Sequence, residues 1–409
     1  MGKLRLSQIS KLFISVFVIY VFWFQYIYGE NSIILYGSVG AAALCMAVDL
    51  VICDKELESI FPWGILVNLI MCIYSLLTGI FFASNQSLLI EAVKTYFSFS
   101  LVSIICCYIS KDQENIDWLI RLLIFVEIIS AVSVLVKGYY ISGYGGYVLG
   151  ISNNPNTLAL QMNIGLFCLA FHSIKYRKHI LIYMAIGLIF IYVIIGTASR
   201  KNLFASIIIS FFWIFDYLAE VWKDKGSPRR FIALFFFILL IGGLYYYITN
   251  YYIFSASYMR MKSLGSSAEG SSSHRILYYK YALDYLLENP FFGIGLEQFG
   301  VWNPLHQYAH STYAEALADW GIVGCFIYFP SAILVGFRLL KSYKERKNGL
   351  SLIVIAIWIV ELFLGVGQIW FYEIDHMIVW TIIYLFPDTQ MSEEIVSNVQ
   401  VRKYKYIRG

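Results

Sequence analysis

Apolar residues run along this chain in blocks of about twenty, each closed by a short polar or charged connection, and a helix needs roughly 20 apolar residues to cross a bilayer. The pattern predicts spans at 11–29, 32–53, 62–83, 92–110, 118–137, 157–174, 180–197, 200–221, 231–250, 311–340, 350–367 and 370–386. This is an all-α polytopic integral membrane protein of twelve transmembrane helices. The first block follows Lys3, Arg5 and Lys11 as a signal peptide would, but no small-residue cleavage site follows and the block has full spanning length. It is read as the first helix.

The polar pattern divides the chain further. Residues 1–250 hold spans one to nine, 251–309 form a large external loop, 310–386 hold spans ten to twelve, and 387–409 form a cytoplasmic tail. Inside the loop, the small polar run from Ser263 to Ser273 leads into a helix predicted over His274 to Glu288. Ser271 to Ser273 offer N-caps, Ile276, Leu283 and Leu287 fall on one stripe, and Asn289-Pro290 ends it. Gly293-Ile294-Gly295 then demands a turn. A second external loop, 138–156, is rich in Gly and Tyr (Tyr139, Tyr140, Tyr144, Tyr147) and closes on Asn153-Asn154-Pro155-Asn156, a capping run for the next span. Those tyrosines serve either as interfacial anchors or as platforms for sugar rings. No internal repeat of fixed period is visible.

Composition narrows the function classes. With 59% hydrophobic and 14% charged residues and a mean hydropathy of +0.68, the chain cannot hide its apolar surface in one aqueous core. The net charge of +4 includes no basic stretch of the kind that binds nucleic acid. The seven cysteines lie in or at the ends of apolar runs without metal-ligand spacing, so they read as packing residues.

Charge placement orients the chain. Of the 30 Lys and Arg residues, 22 fall in one set of connections, and the alternation never breaks across twelve spans. That set, with both termini, is cytoplasmic. The external exceptions are Lys94, Lys137, Arg200, Lys201, Arg260, Lys262, Arg275 and Lys280, and six of these cluster at the turn before span eight and in the loop 251–309.

Three groups there carry candidate chemistry. His310, Ala314, Leu317, Gly321 and Gly324 are spaced to share one helix face, which puts the imidazole at the outer mouth above a column of small residues that admits a neighbouring helix. Such a histidine either caps the helix or takes a proton from a hydroxyl near neutral pH. Glu315 falls 140° from it and is expected to face a neighbouring span. Arg200 and Lys201 stand where one span ends and the next begins, with Ser199 as an N-cap. Helix amides and two cations favour a diphosphate there, and the competing reading is a pair of interfacial residues reaching lipid headgroups. Arg275 and His274, with Arg260 and Lys262 nearby, are either a third part of the site or a solvated loop face. His306 and His376 are external or interfacial, and His172 and His179 structural. No Walker A segment, dinucleotide fingerprint, His-Glu metalloprotease motif or paired-Cys site is present, and a metal-free reaction is expected.

His310-Ser311 followed by nine residues and Gly321-x-x-Gly324 resembles the signature of the bacterial O-antigen ligase and repeat-unit polymerase (Wzy-type) superfamily. Arg275 to Phe299, with Glu288-Asn289-Pro290-Phe291-Phe292-Gly293-Ile294-Gly295, resembles the segment that precedes it there, and Gly196-Thr197-Ala198-Ser199-Arg200 resembles the family's arginine-bearing turn. The resemblance implies a GT-C-like architecture in the bacterial cytoplasmic (inner) membrane. It also implies an inverting, cofactor-free and metal-independent glycosyl transfer on the external or periplasmic face. The donor is a glycan on undecaprenyl diphosphate and the acceptor a sugar hydroxyl. His310 takes the role of general base. Arg200 and Arg275 hold the diphosphate, with Lys201 and Arg260 as weaker candidates, while Gly321 and Gly324 pack beneath the site. Membrane lipid, a chain-length regulator and a flippase are the implied partners. Polymerase and ligase share these motifs, and the heavy Ile, Tyr, Phe and Lys usage inclines the reading to a capsule, exopolysaccharide or O-antigen polymerase. A protein O-glycosyltransferase is a further reading, against which stands the expectation that no extra soluble domain follows the spans. The rival from another class is a lipid-linked oligosaccharide flippase or exporter, which would place ionisable residues inside its spans; Glu127 and Glu361 are midspan and read as unpaired.

Overall fold

The computed structural model describes residues 5–29, 31–52, 61–112, 116–137, 148–150, 154–223 and 270–387, with single positions 152 and 242. Among them the chain is all-helical. In order come α1 (Leu6–Tyr28, with a π-helical turn at Tyr20–Phe24), α2 (Ser32–Ile52), α3 (Trp63–Phe82), α4 (Gln86–Asp112) and α5 (Asp117–Lys137). Then follow α6 (Pro155–Tyr176), α7 (Ile180–Gly196), α8 (Arg200–Lys223), α9 (Gly270–Glu288), the single turn α10 (Phe299–Trp302), α11 (Thr312–Arg346), α12 (Gly349–Leu364) and α13 (Ile374–Pro387). Eight of these are long and apolar enough to cross a membrane, and α7, α12 and α13 are shorter apolar helices. Apart from position 242, the predicted ninth span, 231–250, lies outside the described residues, as do Arg260, Lys262 and the four tyrosines of the loop 138–156.

Packing separates inner from outer helices. α6 contacts α5, α7, α8 and α12, and it is almost wholly enclosed. Asn154 caps it, accepting from the Asn156 amide at 2.9 Å, with Pro155 in the first turn where its missing N–H costs nothing. α13 is buried along its whole length. The outer helices carry bare apolar side chains instead: Phe81 is 80% exposed, Val136 77% and Phe326 75%. A belt of such residues is tolerable only where lipid replaces water, so the fold is that of a multi-pass membrane protein.

Several boundaries move for identifiable reasons. The span expected at 311–340 becomes α11, which runs to Arg346 and is interrupted at Gly321, where φ is 62°. A break inside a membrane helix strands backbone groups. Here the segment after α9 satisfies them: the Ile294 and Gly295 amides donate to the Ala318 and Asp319 carbonyls at 2.9 and 3.0 Å. In return the Ile322 and Val323 amides donate to the Pro290 and Phe291 carbonyls at 2.9 and 3.1 Å. A Cβ on Gly321 would come within 2.6 Å of the Gly293 nitrogen and the Phe291 oxygen, so the docking requires glycine. Spans expected to end at 367 and begin at 370 instead stop at Leu364 and start at Ile374, leaving a turn between them.

The loop helix also differs. α9 starts at Gly270, earlier than expected, and its predicted stripe faces outward: Ile276, Leu283 and Leu287 are 72%, 55% and 71% exposed. The buried face is Tyr278, Ala282 and Tyr285, which pack against Phe299 and Trp302. Large rings bury more surface than leucines, and they outweigh the aliphatic period.

Candidate functional site

Three separate parts of the chain meet at one end of the bundle. The turn between α7 and α8 supplies Ser199, Arg200 and Lys201. Ser199 Oγ does not reach the amides of α8; it donates to Asn156 Oδ1 at 2.8 Å and accepts from Asn202 Nδ2 at 3.0 Å. Asn163 Nδ2 in turn donates to the Asn202 carbonyl at 3.0 Å. This buried network pins the start of α8 to α6 and fixes where the two cations emerge.

The turn between α12 and α13 is the second part. The Thr312 amide donates to the Gly365 and Gln368 carbonyls at 2.8 and 2.9 Å, and the Trp370 amide donates to Thr312 Oγ1 at 3.0 Å. These bonds lock the turn to the start of α11 and bring Gly367, Gln368 and Glu373 into the site. Lys201 Nζ then donates to the Gly367 carbonyl at 2.5 Å. The point where a Gly367 Cβ would sit lies 3.5 Å from Lys201 Nζ and 3.7 Å from an Arg275 guanidinium nitrogen, so the two cations converge on one place. Neither makes an ion pair among the described residues.

His310 is the third part, and its placement corrects the helical-face reading. α11 begins at Thr312 with Ser311 as N-cap, and His310 precedes it at φ 54°. His310 therefore lies outside the helix in a left-handed turn and is not a member of the helical face of Ala314, Gly321 and Gly324. Glu315 also departs from expectation. It is fully buried, and its Oε2 accepts the Ala309 amide at 2.5 Å, which holds the loop that presents His310. Two tyrosine rings position the imidazole, Tyr308 with centroids 4.0 Å apart and Tyr278 at 5.7 Å. No hydrogen bond occupies either imidazole nitrogen among the described residues, which leaves both available to a ligand.

These parts and α9, which contributes Arg275 and Tyr278, enclose a cavity of about 310 Å³ lined by Arg200, Lys201, Arg275 and His310, together with Tyr278, Gln307, Tyr308, Gln368 and Glu373. Three of the four cations named from sequence therefore share one chamber with the histidine, and the fourth, Arg260, is outside the described residues. Three cations against one carboxylate suit a multiply charged anion. Burial lowers the pKa of His310 to about 4, and the Arg275 and Lys201 charges add to that effect. The imidazole is neutral at physiological pH and able to accept a proton.

Gly321 and Gly324 have different neighbours. Gly321 meets the backbone of the 291–293 turn, while Gly324 faces the Tyr74 ring of α3, where an added Cβ would come to 2.8 Å. The latter is a close helix approach of the small-residue kind.

The sequence places Glu373 beside Asp375 near one span end without giving it a role, and sequence reasoning missed Tyr278, Tyr308, Gln307 and Gln368 as site residues because uncharged residues carry no distinguishing local pattern. It also left Glu361 without its partner. His376, read as external or interfacial, is fully buried, and its Nδ1 lies 2.7 Å from Glu361 Oε2, so Glu361 is not unpaired. Only tertiary packing brings α12 and α13 together at this point. Glu127 is fully buried, with neither oxygen partnered among the described residues.

Residues 185–329 match the family model described as O-antigen ligase. The match covers less than half of the chain; it supports the O-antigen ligase and Wzy-type superfamily and, in general terms, ligase- or polymerase-type activity. It takes in Arg200, Lys201, Arg275, His310, Gly321 and Gly324, while Glu373 and the turn before α13 lie beyond it. No curated relative matches the chain.

Proposed function

Taking residues 185–329 as an O-antigen ligase-type segment, we propose that this protein polymerises lipid-linked oligosaccharide repeat units at the outer face of the bacterial cytoplasmic membrane. The observation that carries the reading is the meeting of a neutral, unencumbered imidazole with Arg200, Lys201 and Arg275 around one small chamber. The donor's diphosphate sits among the cations. His310 takes the proton from the acceptor hydroxyl as its oxygen attacks the anomeric carbon from the face opposite the diphosphate. The carbon–oxygen bond to phosphate breaks, its electron pair leaves with the undecaprenyl diphosphate, and the configuration inverts. Guanidinium and ammonium groups stabilise the charge that develops on the leaving group, and the histidine then returns its proton to the diphosphate or to water.

Deletion of the gene is expected to stop chain elongation while single lipid-linked units still reach the outer face. His310→Ala and Arg275→Ala are each expected to abolish polymer with unchanged protein in the membrane; normal polymer with either variant removes that residue from the site. Two other readings have an observation behind them. The matching family model is described as O-antigen ligase, and a ligase would leave intact polymer on its lipid carrier when deleted. The buried His376–Glu361 pair and Glu127 give a flippase interior ionisable groups, and its deletion would trap lipid-linked units on the cytoplasmic side.

A further inference from the structure

His310 stands in a wall between two cavities. One is the cation-lined chamber. The other, about 870 Å³, lies against the same wall, to which Gln307, Tyr308, His310 and Glu373 contribute on both sides. Their chemistry is opposite. Arg200, Lys201 and Arg275 line the first alone, whereas the second is bordered by Glu297, Glu315 and Glu373, with neither lysine nor arginine among its described lining residues.

A cluster of carboxylates is not a site by itself, but this one includes a buried oxygen aimed at no protein donor among the described residues. Glu315 is fully buried; one oxygen is committed to the Ala309 amide, and Oε1 has no hydrogen-bond partner among the described residues. An unmet buried acceptor is costly, and a hydroxyl is the donor that fits it without bringing charge. Tyr308 and Tyr372 add ring faces to the same cavity, whose volume lies in the range of small-molecule pockets.

We infer that the second cavity receives the acceptor end of the glycan and selects a sugar that carries no anionic group. This rests on the transferase reading and deepens it. A uronate or phosphorylated sugar would shed its hydration against three carboxyl groups with no lysine or arginine among the described lining residues to compensate, which is how a site rejects a competitor. Protonation of a carboxyl removes its repulsion but supplies no cation, so such a sugar stays disfavoured. Burial and the nearby Glu91 raise the pKa of Glu297, and a neutral carboxyl still takes part in hydrogen bonds with hydroxyls while offering nothing to balance an anion. Neutral and amino sugars meet acceptors throughout, and a hydroxyl at the wall reaches His310 from the side away from the diphosphate. The two substrates are thus sorted by charge.

The test uses the full chain in lipid nanodiscs and saturation-transfer NMR with the methyl glycosides of N-acetylglucosamine, glucosamine and glucuronic acid. The first two are expected to bind, with the glucuronide about tenfold weaker. Glu297→Gln and Glu315→Gln are each expected to narrow the gap between glucosaminide and glucuronide. Glu297 is on a partly exposed loop, so that variant keeps the test informative if the buried one does not fold. Equal or tighter binding of the glucuronide, an unchanged gap in Glu297→Gln, or no binding of any glycoside overturns the inference. Inorganic pyrophosphate is titrated in parallel against wild type and Arg275→Ala. If pyrophosphate binding depends on Arg275 while the sugar arm fails, only the acceptor inference falls; if it does not, the transferase reading falls too.

Discussion

The depressed pKa of His310 gives the sharpest quantitative expectation. An ordinary histidine titrates near 6.5; here burial is the largest cause of the drop to about 4, and Arg275 comes next, ahead of Lys201. At pH 7 about one imidazole in a thousand is then protonated, from the separation between that value and the pH. Arg275→Ala removes the second cause and leaves the first. The midpoint should therefore rise, but by less than half of the way back to 6.5, because burial is the larger part. Ethoxycarbonylation by diethyl pyrocarbonate reports the neutral imidazole, and peptide mass spectrometry resolves His310 from the other five histidines. The His310 rate should stay flat from pH 7 to about 5 and halve near 4, whereas Arg275→Ala should halve at a higher pH that stays below about 5.3. Saturating pyrophosphate should move wild type in the same direction by screening both cations. A wild-type midpoint at 6.5, or one that ignores Arg275, refutes the convergence of charges on this ring. The linked effect on stability has a fixed sign. The unfolded chain binds this proton more readily, so His310 has no effect above about pH 6.5 and destabilises the fold as pH falls from there towards 4.

Further expectations follow from the packing around the site. Gly321→Ala places a Cβ against backbone atoms at 2.6 Å in a left-handed residue, and the strain and overlap together should cost about 2–5 kcal/mol, read as a lowered thermal midpoint in detergent; an unchanged midpoint would mean that the 290–295 turn is not docked as described. Asp319 accepts from the Glu297 and Phe299 amides at 2.6 and 3.2 Å and from the Tyr372 hydroxyl at 2.9 Å. Asp319→Ala strands three donors and should cost about 3 kcal/mol with faster proteolysis of the 296–310 segment, while Asp319→Asn recovers part of it; wild-type resistance in the alanine variant would count against the network. Polymerisation by the purified protein should survive EDTA, and loss of activity restored by a divalent cation would contradict metal-independent transfer.

Much of the architecture could be read without coordinates. Eleven of the twelve expected spans coincide with described helices, because the requirement for about twenty apolar residues is a local property of the chain. Arg200, Lys201, Arg275 and His310 could also be named in advance. Each is a polar group in a place where the bilayer or the charge bias makes polarity expensive, and that cost is visible residue by residue. The Asn154-Pro155 cap was legible for the same reason, since it acts within one turn.

Tertiary structure decided what those residues do to one another. Whether a histidine just ahead of a helix joins its face or leaves it depends on a φ angle of 54° and on Glu315 holding the Ala309 amide, and nothing in the spacing of residues encodes either. Glu373 and Gln368 reach the site only because the turn between α12 and α13 is bonded to Thr312, more than fifty positions earlier in the chain. The burial that depresses the His310 pKa is likewise a sum over segments brought together from both halves of the sequence. Apolar length and charge bias are additive along the chain and can be read from it, whereas cavities, desolvation and converging charges are properties of pairs distant in sequence and exist only once the helices have packed.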